Sequence, residues 1–76
     1  MEIVDLHGVR HEDVTTIIID ACSRCEIPFV VITGKSSRMK RIVSFAAAKF
    51  KLSVRDTIDN PGRVIVVDDE NFFEEN

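Results

Sequence analysis

The sequence predicts one small α/β domain, an α+β two-layer sandwich in which two helices lie on one face of a four-stranded mixed sheet. The chain has 76 residues, of which 45% are hydrophobic and 30% charged, a composition typical of a single globular domain. Segments with the period of a strand alternate with segments with the period of a helix, and two strand-like segments end the pattern. A chain of this size has room for one core.

The first half of the chain predicts a strand, a helix and a second strand. "EIVDLH" is short, alternates in hydrophobicity and stops at Gly8, which predicts a strand over Glu2–Leu6. Apolar residues then recur at helical spacing from His11 to Cys25. The continuous apolar run "FVVIT" predicts a buried strand that ends at Gly34. The apolar positions of the helix are Val14, Ile17, Ile18, Ala21, Cys22 and Cys25.

The second half predicts a helix followed by a hairpin. Ser36 or Ser37 can cap the helix. "SVRDTI" and "RVIVVD" flank "DNPG", whose four residues are strong turn formers, so an antiparallel hairpin with its turn over 59–62 is expected. The inward stripe of the helix is expected to contain Met39, Ile42, Val43, Ala46, Ala47 and Phe50.

The order of the strands follows from their hydrophobicity. The second and fourth strands are continuously apolar and belong in the middle of the sheet, whereas the first and third carry charges. Right-handed crossovers then give the order 1-2-4-3 with the fourth strand antiparallel, and leave one sheet face uncovered. We expect the domain to span residues 1–68 and an acidic tail to span 69–76, whose Phe72 and Phe73 either fray or dock on another surface.

The charges are segregated along the chain. The net charge is −3, yet the segment from Gly34 to Ser53 contains no acid. This predicts a basic surface that contacts the nucleic-acid backbone, although a solvated helix face has the same pattern. The chain has no Tyr or Trp, which argues against sequence-specific reading of single strands. The cations of this segment are Lys35, Arg38, Lys40, Arg41, Lys49 and Lys51.

Targeting segments, zinc binding and thiol redox chemistry are not indicated. The N-terminus has no signal-peptide pattern, and no apolar run is long enough to span a membrane, so we expect a cytoplasmic protein without a membrane partner. His11 and Cys22 lie about 16 Å apart on one helix at 1.5 Å per residue, too far for one zinc ion. Cys22 and Cys25 close that helix instead of opening it, which favours thiols packed in the core.

"VITGKSS" has the Gly-Lys-Ser of a nucleotide-binding loop but not its geometry. The Walker A pattern needs a glycine where this chain has Phe29, inside a strand, so a nucleotide pocket is excluded. A glycine, a cation and two hydroxyls at a helix N-terminus instead suit one phosphate. A turn glycine followed by a serine cap would show the same residues. The four residues are Gly34, Lys35, Ser36 and Ser37.

"DLHG" follows the first strand and predicts a second cluster. Alternation along a strand would point Asp5 and His7 the same way. Parallel neighbouring strands would bring them beside "TGKSS". His7 as general acid or base, Asp5 orienting it or holding a divalent cation such as Mg²⁺, and Lys35 neutralising phosphate would suit phosphodiester cleavage. Alternatively, Asp5 bonds turn amides and His7 is merely exposed.

"VDLHG" and "VVITGKS", separated by a helix, resemble the motifs of the Smr (small MutS-related) domain over residues 3–67. The resemblance implies a βαβαββ fold, nucleic-acid binding and endonuclease cleavage of RNA or DNA. Ser36 replaces the second glycine of the family's TGKG motif, and its glycine-rich segment is reduced to "DNPGR". Matched to the family motifs are Asp5, His7, Gly8, Thr33, Gly34 and Lys35.

We therefore expect a stand-alone Smr-like domain that binds nucleic acid, RNA more than DNA, and cleaves it at Asp5 and His7. A non-catalytic module that docks on RNA or a ribonucleoprotein is the first alternative. A protein-interaction domain, or a homodimer, that uses the open sheet face or the tail is the second. The expected phosphate-binding residues are Gly8, Thr33, Gly34, Lys35, Ser36, Ser37, Arg38, Lys40 and Arg41.

Overall fold

The structure, a computed structural model, describes residues 1–68, so the tail with Phe72 and Phe73 lies outside the described residues. The predicted order of elements is confirmed. Along the chain, the elements are β1 (Ile3–Asp5), α1 (His11–Arg24), β2 (Phe29–Ile32), α2 (Ser37–Ala48), β3 (Ser53–Thr57) and β4 (Asn60–Val67).

The predicted sheet topology is also confirmed. The strand order is β1-β2-β4-β3. β1 is parallel to β2, with Val4 beside Val31, and β4 is antiparallel to both of its neighbours. The two apolar strands therefore occupy the centre of the sheet, where each is paired on both edges.

The core lies between the helices and one face of the sheet. Phe29 and Val31 of β2 are completely buried, whereas Val30 and Ile32, which point the other way, are partly exposed. Ile3, which pairs with Val30 on that second face, is 56% exposed. The second face is thus open to solvent. The buried apolar residues are Leu6, Val14, Ile18, Ala21, Phe29, Val31, Met39, Val43, Ala46, Ala47, Val64 and Val66.

The hairpin differs from the sequence prediction, because residues 60–62 belong to β4 and not to the turn. Thr57 pairs with Asn60, so the loop contains only Ile58 and Asp59. The hydroxyl of Thr57 donates to the Asn60 carbonyl at 2.6 Å and holds this tight closure. The last residue of β2 pairs with Arg63, so the first residues of β4, including Pro61, extend past the end of β2. Pro61 is tolerated there because its missing N–H breaks no pairing with β2.

Phe50 also differs from the prediction, since α2 ends at Ala48 and Phe50 is 39% exposed. The helix closes with the paired hydrogen bonds of a Schellman motif. The Leu52 N–H donates to the Ala47 carbonyl at 3.1 Å, and the Lys51 N–H donates to the Ala48 carbonyl at 3.0 Å. The chain then reverses, and Leu52 packs against the core.

No helix within residues 1–68 is long and apolar enough to cross a bilayer. The longer of the two, α1, has 14 residues, against roughly 20 needed for a membrane span.

Lys51→Gly should stabilise the domain. Lys51 has φ 61°, a left-handed conformation that costs a residue with a Cβ about 1 kcal/mol relative to glycine. Lys49→Gly removes the same charge at φ −64° and should lower the free energy of unfolding by roughly 0.5 kcal/mol. Urea unfolding of both variants checks the pair, and equal effects would contradict the left-handed assignment.

Candidate nucleic-acid interface

The "DLHG" segment forms a tight turn anchored in the core. Leu6 is 2% exposed, and its N–H donates to the Ile32 carbonyl at 3.0 Å. The Val9 N–H donates to the Leu6 carbonyl at 3.0 Å and closes a four-residue turn. Gly8 stands third in this turn with φ 78°, a conformation that glycine adopts without strain. Gly8 therefore shapes the backbone on which His7 is presented.

Asp5 bonds the backbone of this turn. Its Oδ1 accepts the N–H of His7 at 2.8 Å, which is one of the two arrangements that the sequence left open. β1 ends at Asp5, so the expected strand alternation does not extend to His7, whose side chain is exposed. The carboxylate keeps acceptor capacity on its second oxygen for a ligand.

The "TGK" segment is held against the start of β4. The Thr33 and Gly34 N–H groups donate to the Gly62 carbonyl at 3.0 Å and 2.8 Å. Thr33 is 7% exposed, and its hydroxyl donates to the Gly34 carbonyl at 2.8 Å. Gly34 has φ 69°, so this turn also requires glycine. The Thr33 hydroxyl and both amides are therefore engaged within the protein.

Both turns lie at the same end of the sheet. Asp5 pairs directly with Ile32, and the Leu6 N–H bonds the Ile32 carbonyl, so the chain enters the two turns side by side. The side chains of Asp5, His7 and Lys35 are all exposed there. This is the juxtaposition on which the sequence hypothesis depends.

Ser36 is the residue that caps α2. Its hydroxyl accepts the N–H of Met39 at 3.0 Å, whereas Ser37 is the first residue of the helix. Ser36 has φ −72° and ψ 115°, an ordinary extended conformation. A serine at this position therefore costs no backbone strain.

The cations of α2 face different surroundings. The Lys40 ammonium lies 3.3 Å from the Asp56 carboxylate of β3, and its side chain is 24% exposed. Lys40 lies in a cleft of about 400 Å³ between the helix and the hairpin. Arg38 and Arg41 are exposed and make no ion pair with any residue between 1 and 68. The structure thus separates Lys40 from the solvent-facing cations.

Sequence reasoning missed two basic residues beside the "DLHG" turn. Arg10 and His11, at the start of α1, share with Arg38 a groove of about 460 Å³ that Glu12 and Ile42 also line. Both helices begin at the same end of the sheet, so their first turns adjoin. Their position two and three residues after Gly8 of "DLHG" was the available signal. Arg10 also pairs with Glu12 at 3.1 Å, at an exposed position where such a pair is weak.

Arg63 was also missed. The register places Asp5, Ile32 and Arg63 in one row across the sheet, on the open face. The Arg63 Nε is shielded from solvent and has no hydrogen-bond partner among residues 1–68. Only the strand register, which the sequence did not give residue by residue, could have placed this arginine in the same row as Asp5.

The two cysteines pack against the core. Burial, followed by the neighbouring Cys25, raises the pKa of the Cys22 thiol above its ordinary value of 9.0. Burial and then the Glu2 carboxylate raise the pKa of Cys25. Both thiols are free and partly exposed. Within the described part of the chain, no three metal-binding side chains of the His, Cys, Asp and Glu types converge.

Comparison of the chain with models of known protein families, with curated proteins and with solved structures found no match in any of the three.

Ser36→Ala should lower the free energy of unfolding by about 1 kcal/mol, because the Met39 N–H loses its cap. Ser36→Gly should cost only a few tenths of that. Ser37→Ala is the matched control and should change stability by less than about 0.5 kcal/mol. Urea unfolding measures all three, provided that the dependence of the unfolding free energy on urea concentration, the m-value, stays the same. An equal loss for the two alanine variants would show that Ser36 is not the cap.

Proposed function

We propose that the chain is a nucleic-acid-binding domain that holds the phosphate backbone on a continuous basic surface. This surface, here called the basic edge, consists of Lys35, Arg38, Arg41, Arg10 and His11. The observation that carries the proposal is that three exposed cations, Lys35, Arg38 and Arg41, make no ion pair within residues 1–68 of a protein whose net charge is −3.

The absence of acids supports a polyanion as the partner. The nearest acid along the chain after Gly34 is Asp56, whose carboxylate pairs with Lys40 on the hairpin side of α2. The excess of cations attracts a phosphate backbone and concentrates it at the surface, although Glu12 pairs with Arg10 at one end of the basic edge. The resemblance of "VDLHG" and "TGK" to the Smr motifs points to the same partner, and to RNA more than DNA.

The geometry of the two turns supports a basic edge whose cations have fixed positions along the backbone. The Gly62 carbonyl accepts hydrogen bonds from the N–H groups of Thr33 and Gly34, and the buried side chain of Leu6 anchors the neighbouring turn. Lys35 therefore leaves a backbone that is anchored on both sides. Preorganised cations lose less conformational entropy on binding than cations on a mobile loop.

Binding should weaken steeply with salt. About four phosphate contacts give a slope of about −3 on single-stranded RNA, so a fourfold rise in salt should weaken binding roughly 50-fold. Lys35→Ala and Arg38→Ala should each reduce the slope by about 0.7 to 1. Titration of labelled RNA at several salt concentrations measures both effects.

Arg24→Ala is the matched control, because Arg24 lies at the far end of α1 and bonds Asp20 at 2.8 Å. It should leave the slope unchanged. Weak binding that responds neither to salt nor to Lys35→Ala and Arg38→Ala would contradict the proposal and favour the protein-interaction alternative.

Cleavage of the bound strand is the second candidate function. The specific observation is that Asp5, His7 and Lys35 lie exposed at one end of the sheet, with Asp5 bonded to the backbone that carries His7. The imidazole would take the proton of the attacking hydroxyl while the oxygen of that hydroxyl bonds to phosphorus. The bond from phosphorus to the leaving oxygen then breaks, that oxygen takes a proton from water, and Lys35 would neutralise the non-bridging oxygens. The second oxygen of Asp5 suits Mg²⁺ shared with a substrate phosphate.

His7→Ala should abolish cleavage and leave RNA affinity within about 2-fold, because His7 is an exposed turn residue outside the core. Asp5→Asn keeps an oxygen that can accept the His7 N–H, so it should fold normally while losing the charge. The assay uses RNA and DNA substrates with and without magnesium. Absence of cleavage by the wild-type protein under every condition would leave the non-catalytic docking module.

A further inference from the structure

Phe45 is an exposed aromatic residue inside the basic face of α2. Its side chain is 68% exposed, and the Lys49 ammonium lies 4.8 Å from the centre of its ring. Arg38, Arg41 and Ile42 line the same shallow groove as Phe45, together with Thr15 of α1. Sequence reasoning placed Phe45 in no role, because it lies off the apolar stripe of the helix.

We propose that Phe45 is a stacking platform for unpaired bases, and that the domain binds single-stranded segments of nucleic acid along the outer face of α2. This inference rests on the proposed nucleic-acid binding and specifies the class of ligand. A Phe ring can stack on any base, since every base has a π-face. Arg38 and Arg41, which precede Phe45 on the helix, and Lys49, which follows it, can pair with the phosphates on either side of a stacked base.

The spacing of the residues fits a strand that runs along the helix. Arg41 and Phe45, and Phe45 and Lys49, are four residues apart and therefore neighbours on one helix face. Arg38 lies two turns before Phe45 on that face. From Arg38 to Lys49 the surface extends about 16 Å, roughly the rise of four or five stacked nucleotides.

The charge around Phe45 favours this ligand over an apolar partner. An apolar partner would have to desolvate Arg38, Arg41 and Lys49, which gain no counter-charge from residues 1–68. A single strand supplies both a base for the ring and phosphates for the cations. The groove with Arg10 and His11 also contains Arg38, so the platform continues into the basic edge.

The test compares an oligouridylate of about eight nucleotides with a blunt RNA duplex. Phe45→Ala should weaken binding of the oligouridylate by roughly 5-fold to 150-fold, the effect of losing one stacked base. Binding of the duplex, whose bases are already stacked, should change by less than about 2-fold. The salt slope should stay unchanged, because no counterion is released by a ring, whereas Arg41→Ala should reduce it.

Phe45→Trp adds a direct readout, because the chain has no Trp of its own. The indole should retain binding, and its fluorescence should be quenched when the oligouridylate is added. Ile58→Ala is the matched control, since Ile58 is fully exposed at the hairpin tip, and it should leave affinity unchanged.

Four outcomes would overturn the inference. If Phe45→Ala binds the oligouridylate as tightly as the wild type, or if the indole is not quenched at saturation, bases do not stack there and the salt-dependent binding to the basic edge still stands. If Phe45→Ala instead binds more tightly, the ring blocks the strand. If the wild type binds neither RNA, the nucleic-acid proposal fails together with this inference.

Discussion

The parallel pairing of β1 with β2 is the constraint on which the rest of the structure depends. A parallel pair needs a crossover, and α1 supplies it, so both strands end at the same edge of the sheet. Each strand then passes into a turn, and each turn leads to the start of a helix. Two turns and two helix N-termini therefore lie at the same end of the sheet.

Backbone hydrogen bonds fix these turns. The Ile32 carbonyl accepts the N–H of Leu6, and the Gly62 carbonyl accepts the N–H groups of both Thr33 and Gly34. A side chain added to Gly62 would lie 3.2 Å from the Asn60 side chain, tighter than an ordinary contact. β4 therefore supports the "TGK" turn as well as the centre of the sheet, although it carries none of the residues proposed to contact the phosphates.

The candidate site has two sides that the same edge connects. Asp5 belongs to the open face of the sheet, in one row with Arg63. Arg38 and Arg41 belong to the outer face of the helix layer, where Phe45 is exposed. His7, Arg10 and Lys35 lie between them in the chain segments that join sheet and helices. A strand held on α2 would reach Asp5 only by crossing this edge.

The sequence by itself determined the order of the elements, the strand order and the segregation of charge. Periodicity and the handedness of crossovers depend on residues that are close together in the chain, and the positions of charged residues are read from the sequence directly. It placed "DLHG" beside "TGK" for the same reason. Only the tertiary structure decided that Asp5 bonds the His7 backbone, that Lys40 pairs with Asp56 and that Phe45 faces solvent. These contacts depend on distances between residues that are adjacent only after folding. The antiparallel hairpin was predicted correctly, but the bounds of its turn and the end of α2 were not, because a two-residue loop and a left-handed lysine are weakly encoded in residue type.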